Sequence, residues 1–169
     1  MRTTAEARAG LSILEILILL VLVAILFFVA LPILLRSRVL SHEATAIQTL
    51  WHIHYKELDY QQNMMGKVGT LAELALVKGI NPALATGPVA GYRYRLEITP
   101  PEVNAPHLEP ASGGTGPAWW CQTVPEIFGS TGERSFHVDQ SGVIRAKNSG
   151  DGEFRSPAEA LQWTPIKEE

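Results

Sequence analysis

Polar residues disappear from the chain after Glu15. The next twenty residues, 16–35, carry no charged or hydrogen-bonding side chain. At about 1.5 Å per residue a helix of that length measures about 30 Å, the thickness of a bilayer's hydrocarbon core, so the run predicts one membrane-crossing helix. Beyond it the pattern takes on a helical period. Leu40, Ala44, Ile47, Trp51, Tyr55 and Leu58 recur every three or four positions, and Arg36, Glu43, Gln48, His52 and Glu57 fill the gaps. The same helix is expected to continue to about Tyr60, with this apolar stripe, and the aromatics Trp51, Tyr55 and Tyr60 in particular, anchoring a globular domain.

The rest of the chain changes period and is well punctuated. Thr70-Leu71-Ala72-Glu73 reads as a capping box that opens a short helix, and Gly79 can close it in a left-handed conformation. Asn81-Pro82 begins another turn, and residues 86–91 read as loop. Strict alternation follows: Tyr92, Tyr94, Leu96 and Ile98 fall on one face, Arg93, Arg95, Glu97 and Thr99 on the other, as in a half-buried strand. Residues 100–117 hold five prolines and three glycines and read as a surface loop. Further strands are expected over 118–124 and 135–138, the latter turning through Asp139-Gln140-Ser141-Gly142 into a fourth at 143–146. Ser156-Pro157-Ala158-Glu159 should cap a short terminal helix. The expected fold class is α+β, with a long amino-terminal helix packed on a small antiparallel β-sheet.

Composition narrows the chemistry. A chain of 169 residues suffices for one span and one modest domain. Its single cysteine, Cys121, allows no intramolecular disulfide and sits beside Trp119 and Trp120, as a small core residue would. A formal charge of −3 leaves no electrostatic footprint for nucleic acid. There is no serine elbow, phosphate loop or carboxylate pair at catalytic spacing, so enzymatic activity is not expected. His52 and His54, two apart, point to nearly opposite sides of a helix and cannot share a metal. His42, His107 and His137 are scattered and are expected to be solvated or internally satisfied. The oxygen-rich string Asn148-Ser149-Gly150-Asp151-Gly152-Glu153 is both an ordinary turn sequence and a calcium candidate through Asn148, Asp151 and Glu153. No other cofactor is expected.

One constellation at the amino terminus is more specific. Arg2 and Arg8 precede Gly10, Leu11 follows it, and Glu15 stands fifth after the glycine, at the lip of the apolar run. A cleaved secretory signal has a shorter apolar stretch with its small residues after it, whereas here Ala9 and Gly10 come first. This arrangement, with Pro32 inside the run, resembles the prepilin class: type IV pilins and the pseudopilins of type II secretion. The family more often has a basic residue and Phe where this chain has Ala9 and Leu11, and often a mid-helix glycine near the position of Ala24. The later segments Thr-Leu-Ala-Glu-Leu, Gly-Tyr-Arg-Tyr and Ser-Phe-His-Val-Asp-Gln-Ser-Gly-Val-Ile-Arg look like those of bacterial pilin-like proteins with a compact sheet domain. The Asp-Pro-Trp-Gly type segment of major pseudopilins is not found in the sequence.

The resemblance implies a division into a leader (1–10), a membrane and filament-core half-helix (11–35), an amphipathic half-helix (36–60) and an α/β head (61–169). It implies that a prepilin peptidase cuts after Gly10 and methylates the new amine of Leu11. Glu15 of one subunit would then neutralise that amine on a neighbour and set the stagger of a filament. Arginines flank the run on both sides, Arg2 and Arg8 before it and Arg36 and Arg38 after it, so charge alone does not orient it. The resemblance puts the amino terminus in the cytoplasm and the head outside the inner membrane. The expected partners are other pilin subunits, the inner-membrane assembly machinery and, before assembly, lipid. The alternatives are a type II secretion pseudopilin, for which the family's calcium loop would be relevant, and a signal-anchored extracytoplasmic binding module.

Overall fold

The structure, a computed structural model, describes residues 12–99, 118–148 and 150–166. The proline-rich segment 100–117 and His107 within it lie outside the described residues, as does Ser149. The chain is α+β and divides into two compact units, Met1–Ser37 and Arg38–Glu169, with one helix, α1 (Ile13–Asn63), contributing to both. In the first unit every described residue of α1 is exposed. The second unit is the head.

In the head α1 is followed by α2 (Leu71–Lys78), α3 (Ala83–Thr86), β1 (Tyr92–Thr99), β2 (Ala118–Pro125), β3 (Ser135–Asp139), β4 (Arg145–Lys147), α4 (Pro157–Ala160) and β5 (Thr164–Pro165). The strands form one antiparallel sheet in the order β1-β2-β3-β4-β5. Consecutive strands pair because each connection simply turns the chain back on itself. The α2 capping box is complete: Thr70 accepts from the Glu73 amide at 3.2 Å, and the Glu73 carboxylate accepts from the Thr70 amide at 2.7 Å. Gly79 ends the helix at φ 71°, where a side chain would be strained. Ser156 caps α4 as expected.

One sheet face packs on α1. Tyr92, Tyr94, Trp119, Cys121, Phe136 and Val138 meet Ala46, Leu50, Ile53 and Tyr60 in a single core, closed at one end by Leu71, Leu74, Ile80 and Leu84. Cys121 is fully buried, and burial pushes its thiol pKa up.

The buried face of α1 is not the expected one. Tyr60 is buried, but Leu40, Ala44, Tyr55 and Leu58 are exposed, and Ile47 and Trp51 are only half-buried. The face turned to the sheet is Val39, Glu43, Ala46, Leu50, Ile53, Glu57 and Tyr60, with His54 beside it. Two carboxylates take core positions because the head supplies hydrogen bonds to each, so counting apolar side chains pointed to the neighbouring stripe.

Four smaller corrections follow from the sheet. The fourth strand starts at Arg145, since Gly142 and its neighbours complete the turn, and β5 is an unexpected fifth strand. The far half of β1 is not half-buried in the expected alternation, because Ile98 is exposed. The sheet is covered on both faces: Trp120, Gln122 and His137 lie beneath the carboxyl-terminal segment, where Gln122 Oε1 accepts from the Arg155 amide at 2.8 Å and the Trp163 ring centre is 6.4 Å from that of His137. His137, expected to be solvated or satisfied, is fully buried with neither ring nitrogen hydrogen-bonded among the described residues.

Candidate functional site

The most distinctive surface of this protein is the first unit's half of α1. From Ile13 to Leu35 the apolar side chains are exposed on all sides of the helix, so no face is reserved for a core of its own. A helix apolar all round needs an apolar surrounding, either lipid or other helices. α1 is long and apolar enough to cross a membrane. Its amino end is ordered locally: Ser12 Oγ accepts from the Leu14 amide at 3.3 Å, and the Ser12 carbonyl accepts from the amides of Glu15 and Ile16 at 2.9 and 3.1 Å. Glu15 lies in the first turn, where a carboxylate complements the helix dipole. Pro32 lies inside the helix and donates no N–H, so the Phe28 carbonyl four residues earlier has no regular partner. Gly10 and Leu11, the expected cleavage and methylation positions, lie outside the described residues.

In the head, α1 shows a second apolar surface to solvent. Leu40, Ala44, Tyr55 and Leu58 point away from the sheet, with Ile47 and Trp51 at its margin. The rings of Trp51 and Tyr55 stack at 5.9 Å with planes 24° apart, although Tyr55 is 62 % exposed. Aromatic stacking at an exposed site makes a flat, rigid patch suited to contact.

Two buried glutamates hold the head to α1. Glu43 receives four hydrogen bonds: Oε1 from the amides of Glu133 and Arg134 at 3.0 and 3.1 Å, and Oε2 from Arg134 Nε and Nη2 at 2.8 and 2.7 Å. Charge-assisted and doubly forked, this is a strong form of the interaction. His42 Nδ1 donates to the Thr131 carbonyl at 3.2 Å, a carbonyl being only an acceptor. Fourteen residues on, Glu57 Oε1 accepts from the Gly69 amide at 3.0 Å and from Gln61 Nε2 at 3.2 Å, leaving Oε2 buried without a partner among the described residues. Burial raises the Glu57 pKa to about 7, against the lowering effect of the Gly69 and Gln61 hydrogen bonds. Burial lowers His137 to about 4, with Asp139 opposing the shift and Arg145 adding to it.

Sequence reasoning placed both glutamates on the solvent side. A signal for them existed: positions 39, 43, 46, 50, 53, 57 and 60 alternate steps of four and three without a break, a heptad face that includes the two carboxylates. The rival stripe breaks that alternation between Trp51 and Tyr55.

The calcium candidates are not gathered. Asp151 is paired with the Arg155 guanidinium, and its other oxygen accepts from the Glu153 amide at 3.1 Å. Asn148 and Glu153 are exposed, and the described residues contain no group of three His, Cys, Asp or Glu side chains able to hold a metal ion. A groove of about 610 Å³ runs beside β4 and β5, lined by Lys147, Glu159, Gln162, Trp163 and Thr164 among others. Lys147 and Glu159 pair across it at 3.0 Å. The chain matches no family model, no curated protein and no solved structure.

Proposed function

We propose that the chain is a structural subunit of a type IV pilus-like filament, made as a single-pass precursor, cleaved after Gly10, methylated at Leu11 and polymerised through α1. The observation that carries this reading is α1 itself: an apolar half with no covering of its own and one carboxylate, Glu15, in its first turn, leading into a half that bears a small sheet domain. Lipid covers the apolar half before assembly and neighbouring helices cover it afterwards, with dispersion and close packing as the gain, because lipid is already apolar. Glu15 is costly in such a bundle unless paired, and the Leu11 amine of an adjacent subunit is a partner of the right charge. The outward stripe with Trp51 and Tyr55 supports the same reading, since it offers a further contact surface in the head. The subunit works without catalysis, with its amino terminus in the cytoplasm and its head outside the inner membrane.

The test is the mass of the amino-terminal peptide of the protein purified from its own cells. A methylated Leu11 at the new terminus is the expected result, and a mature pool that retains residues 1–10 refutes it. A signal-anchored binding module is the second reading, favoured by the groove beside β4 and β5. An uncleaved leader is the outcome it requires. The pseudopilin alternative predicts calcium-dependent stability, and the engagement of Asp151 by Arg155 gives that no support.

A further inference from the structure

After β4 the chain crosses the outer face of the sheet, the one turned away from α1, and returns. Residues 150–156 have no regular structure, α4 follows, and β5 ends the path beside β4. Three polar contacts mark the course. Arg93 Nη2 of β1 donates to the Gly152 carbonyl at 2.9 Å, the Arg155 amide donates to Gln122 Oε1 of β2 at 2.8 Å, and the Ile166 amide donates to the Ile144 carbonyl at 2.8 Å. Gly152 is required by contact, since a Cβ there would lie 2.8 Å from the Pro125 carbonyl oxygen. Ala160 and Trp163 are buried, yet neither belongs to the core between the sheet and α1, and among the apolar residues of the segment only Ile166 packs against that core. A segment held by few hydrogen bonds and little apolar area is where a protein opens first.

The layer beneath the segment is polar. Of the eleven buried side-chain nitrogens and oxygens without a hydrogen-bond partner among the described residues, seven lie there: Arg93 Nε, Gln122 Nε2, both ring nitrogens of His137, Arg145 Nε, Arg155 Nε and Trp163 Nε1. Buried donors left unpaired cost free energy that solvation removes. His137 is at the centre. The register sets Gln122 of β2 on one side of it and Arg145 of β4 on the other, and the ring centres of Trp120 and Trp163 lie 5.8 and 6.4 Å from its own. The charged groups around it are Asp139 on its own strand, Arg145, Arg155 from the segment and, beyond Gln122 in the same row, Arg95 of β1. With the layer closed, burial holds the imidazole neutral down to about pH 4, and exposure to water restores its ordinary value of 6.5. The open form therefore gains about tenfold for each pH unit below 6.5 until that limit.

We propose that residues 150–166 form a strap that opens on its own as pH falls, with His137 as its latch. Once protonated, His137 is a cation beside Arg145 in a layer rich in donors, and it is relieved when the strap lifts and water reaches the ring. The open form presents the outer face of β2 and β3, with Trp120, Gln122 and His137, while the core on the other face stays packed against α1. The device belongs to the head alone and is independent of filament formation, so it would serve a pilin-like subunit or an anchored module alike.

The experiment uses the full chain in dodecyl maltoside, with a second thiol introduced as Ala160→Cys. Ala160 is fully buried in the strap and native Cys121 is fully buried on the core face, so the two thiols report on strap and head separately. Both are labelled with 4,4′-dithiodipyridine between pH 7.5 and 4.5 and read by peptide mass, each rate being divided by that of free cysteine at the same pH. From pH 6.5 to 4.5 the normalised rate at position 160 should rise about a hundredfold, while Cys121 labels far more slowly throughout. His137→Asn should flatten the rise, because His54, also lowered by burial but packed against Trp119 on the core face, is common to both chains. A rate at 160 that does not change with pH overturns the switch. Equal rates at 160 and 121 overturn the separate strap, as does labelling of 160 at pH 7.5 as fast as free cysteine. A rise that survives His137→Asn removes His137 as the latch. If Cys121 of that variant labels like free cysteine the variant has not folded, and nuclear magnetic resonance of the histidine rings in the native chain decides instead. A His137 ring still neutral at pH 5.5 is expected there, and an ordinary midpoint near 6.5 overturns the proposal.

Discussion

Glu57 and His137 should give this protein opposing pH dependences that nearly cancel, and removing one should expose the other. Glu57 is fully buried with its pKa raised from 4.5 to about 7. Between those values the folded state holds a proton that the unfolded state has lost, so its contribution is complete below pH 4.5 and disappears as pH rises through 7. At about 1.4 kcal/mol per unit this is on the order of 3 kcal/mol. His137 is also fully buried, with its pKa lowered from 6.5 to about 4. Here the unfolded state binds the proton more readily, so stability is complete above pH 6.5 and falls as pH drops towards 4, again by roughly 3 kcal/mol. His54, also lowered by burial, adds to the second slope. Glu57→Gln keeps an oxygen to accept from the Gly69 amide but cannot ionise. Urea unfolding in detergent at pH 4.5, 5.5, 6.5 and 7.5, followed by tryptophan fluorescence, gives the comparison. The difference between the variant and the native chain isolates Glu57, because every other titrating group is common to both. It should shift in favour of the variant by on the order of 3 kcal/mol from pH 4.5 to 7.5. A difference that does not vary with pH would refute the reasoning, since it would mean that Glu57 ionises alike in both states.

Glu43→Ala should destabilise the head by about 3 kcal/mol, because two amides and the Arg134 guanidinium lose their acceptor at once; the same urea assay reads it. Thr70→Ala should cost about 1 kcal/mol by removing the α2 cap, visible as a smaller shift of the urea midpoint. Glu15→Ala should still insert but assemble poorly, as counted by electron microscopy of sheared cell surfaces. Normal filaments from that variant would end the pairing argument.

The sequence determined the elements whose cause is local. A run of twenty residues without a polar side chain needs an apolar surrounding whatever the head does, so 16–35 was legible as an uncovered helix. The α2 capping box and Gly79 were legible because caps are satisfied within a few residues, and β1 (Tyr92–Thr99) appeared at its expected bounds because alternation is a property of the strand itself. What tertiary structure alone decided is which side of α1 faces the sheet. Two stripes competed, and the apolar one lost because Glu43 and Glu57 find donors in residues 133–134 and at Gly69, partners as far as 91 positions away. The same holds for His137, whose neighbours Trp120 and Trp163 come together only when the carboxyl-terminal segment folds over the sheet. The unbroken heptad spacing marked the right face of α1, but whether the carboxylates on it can be buried depends on long-range hydrogen bonds and packing that the spacing does not encode. Helix extent, strand period and caps could therefore be read from the chain, while the burial of the charges and the identity of their partners required the fold.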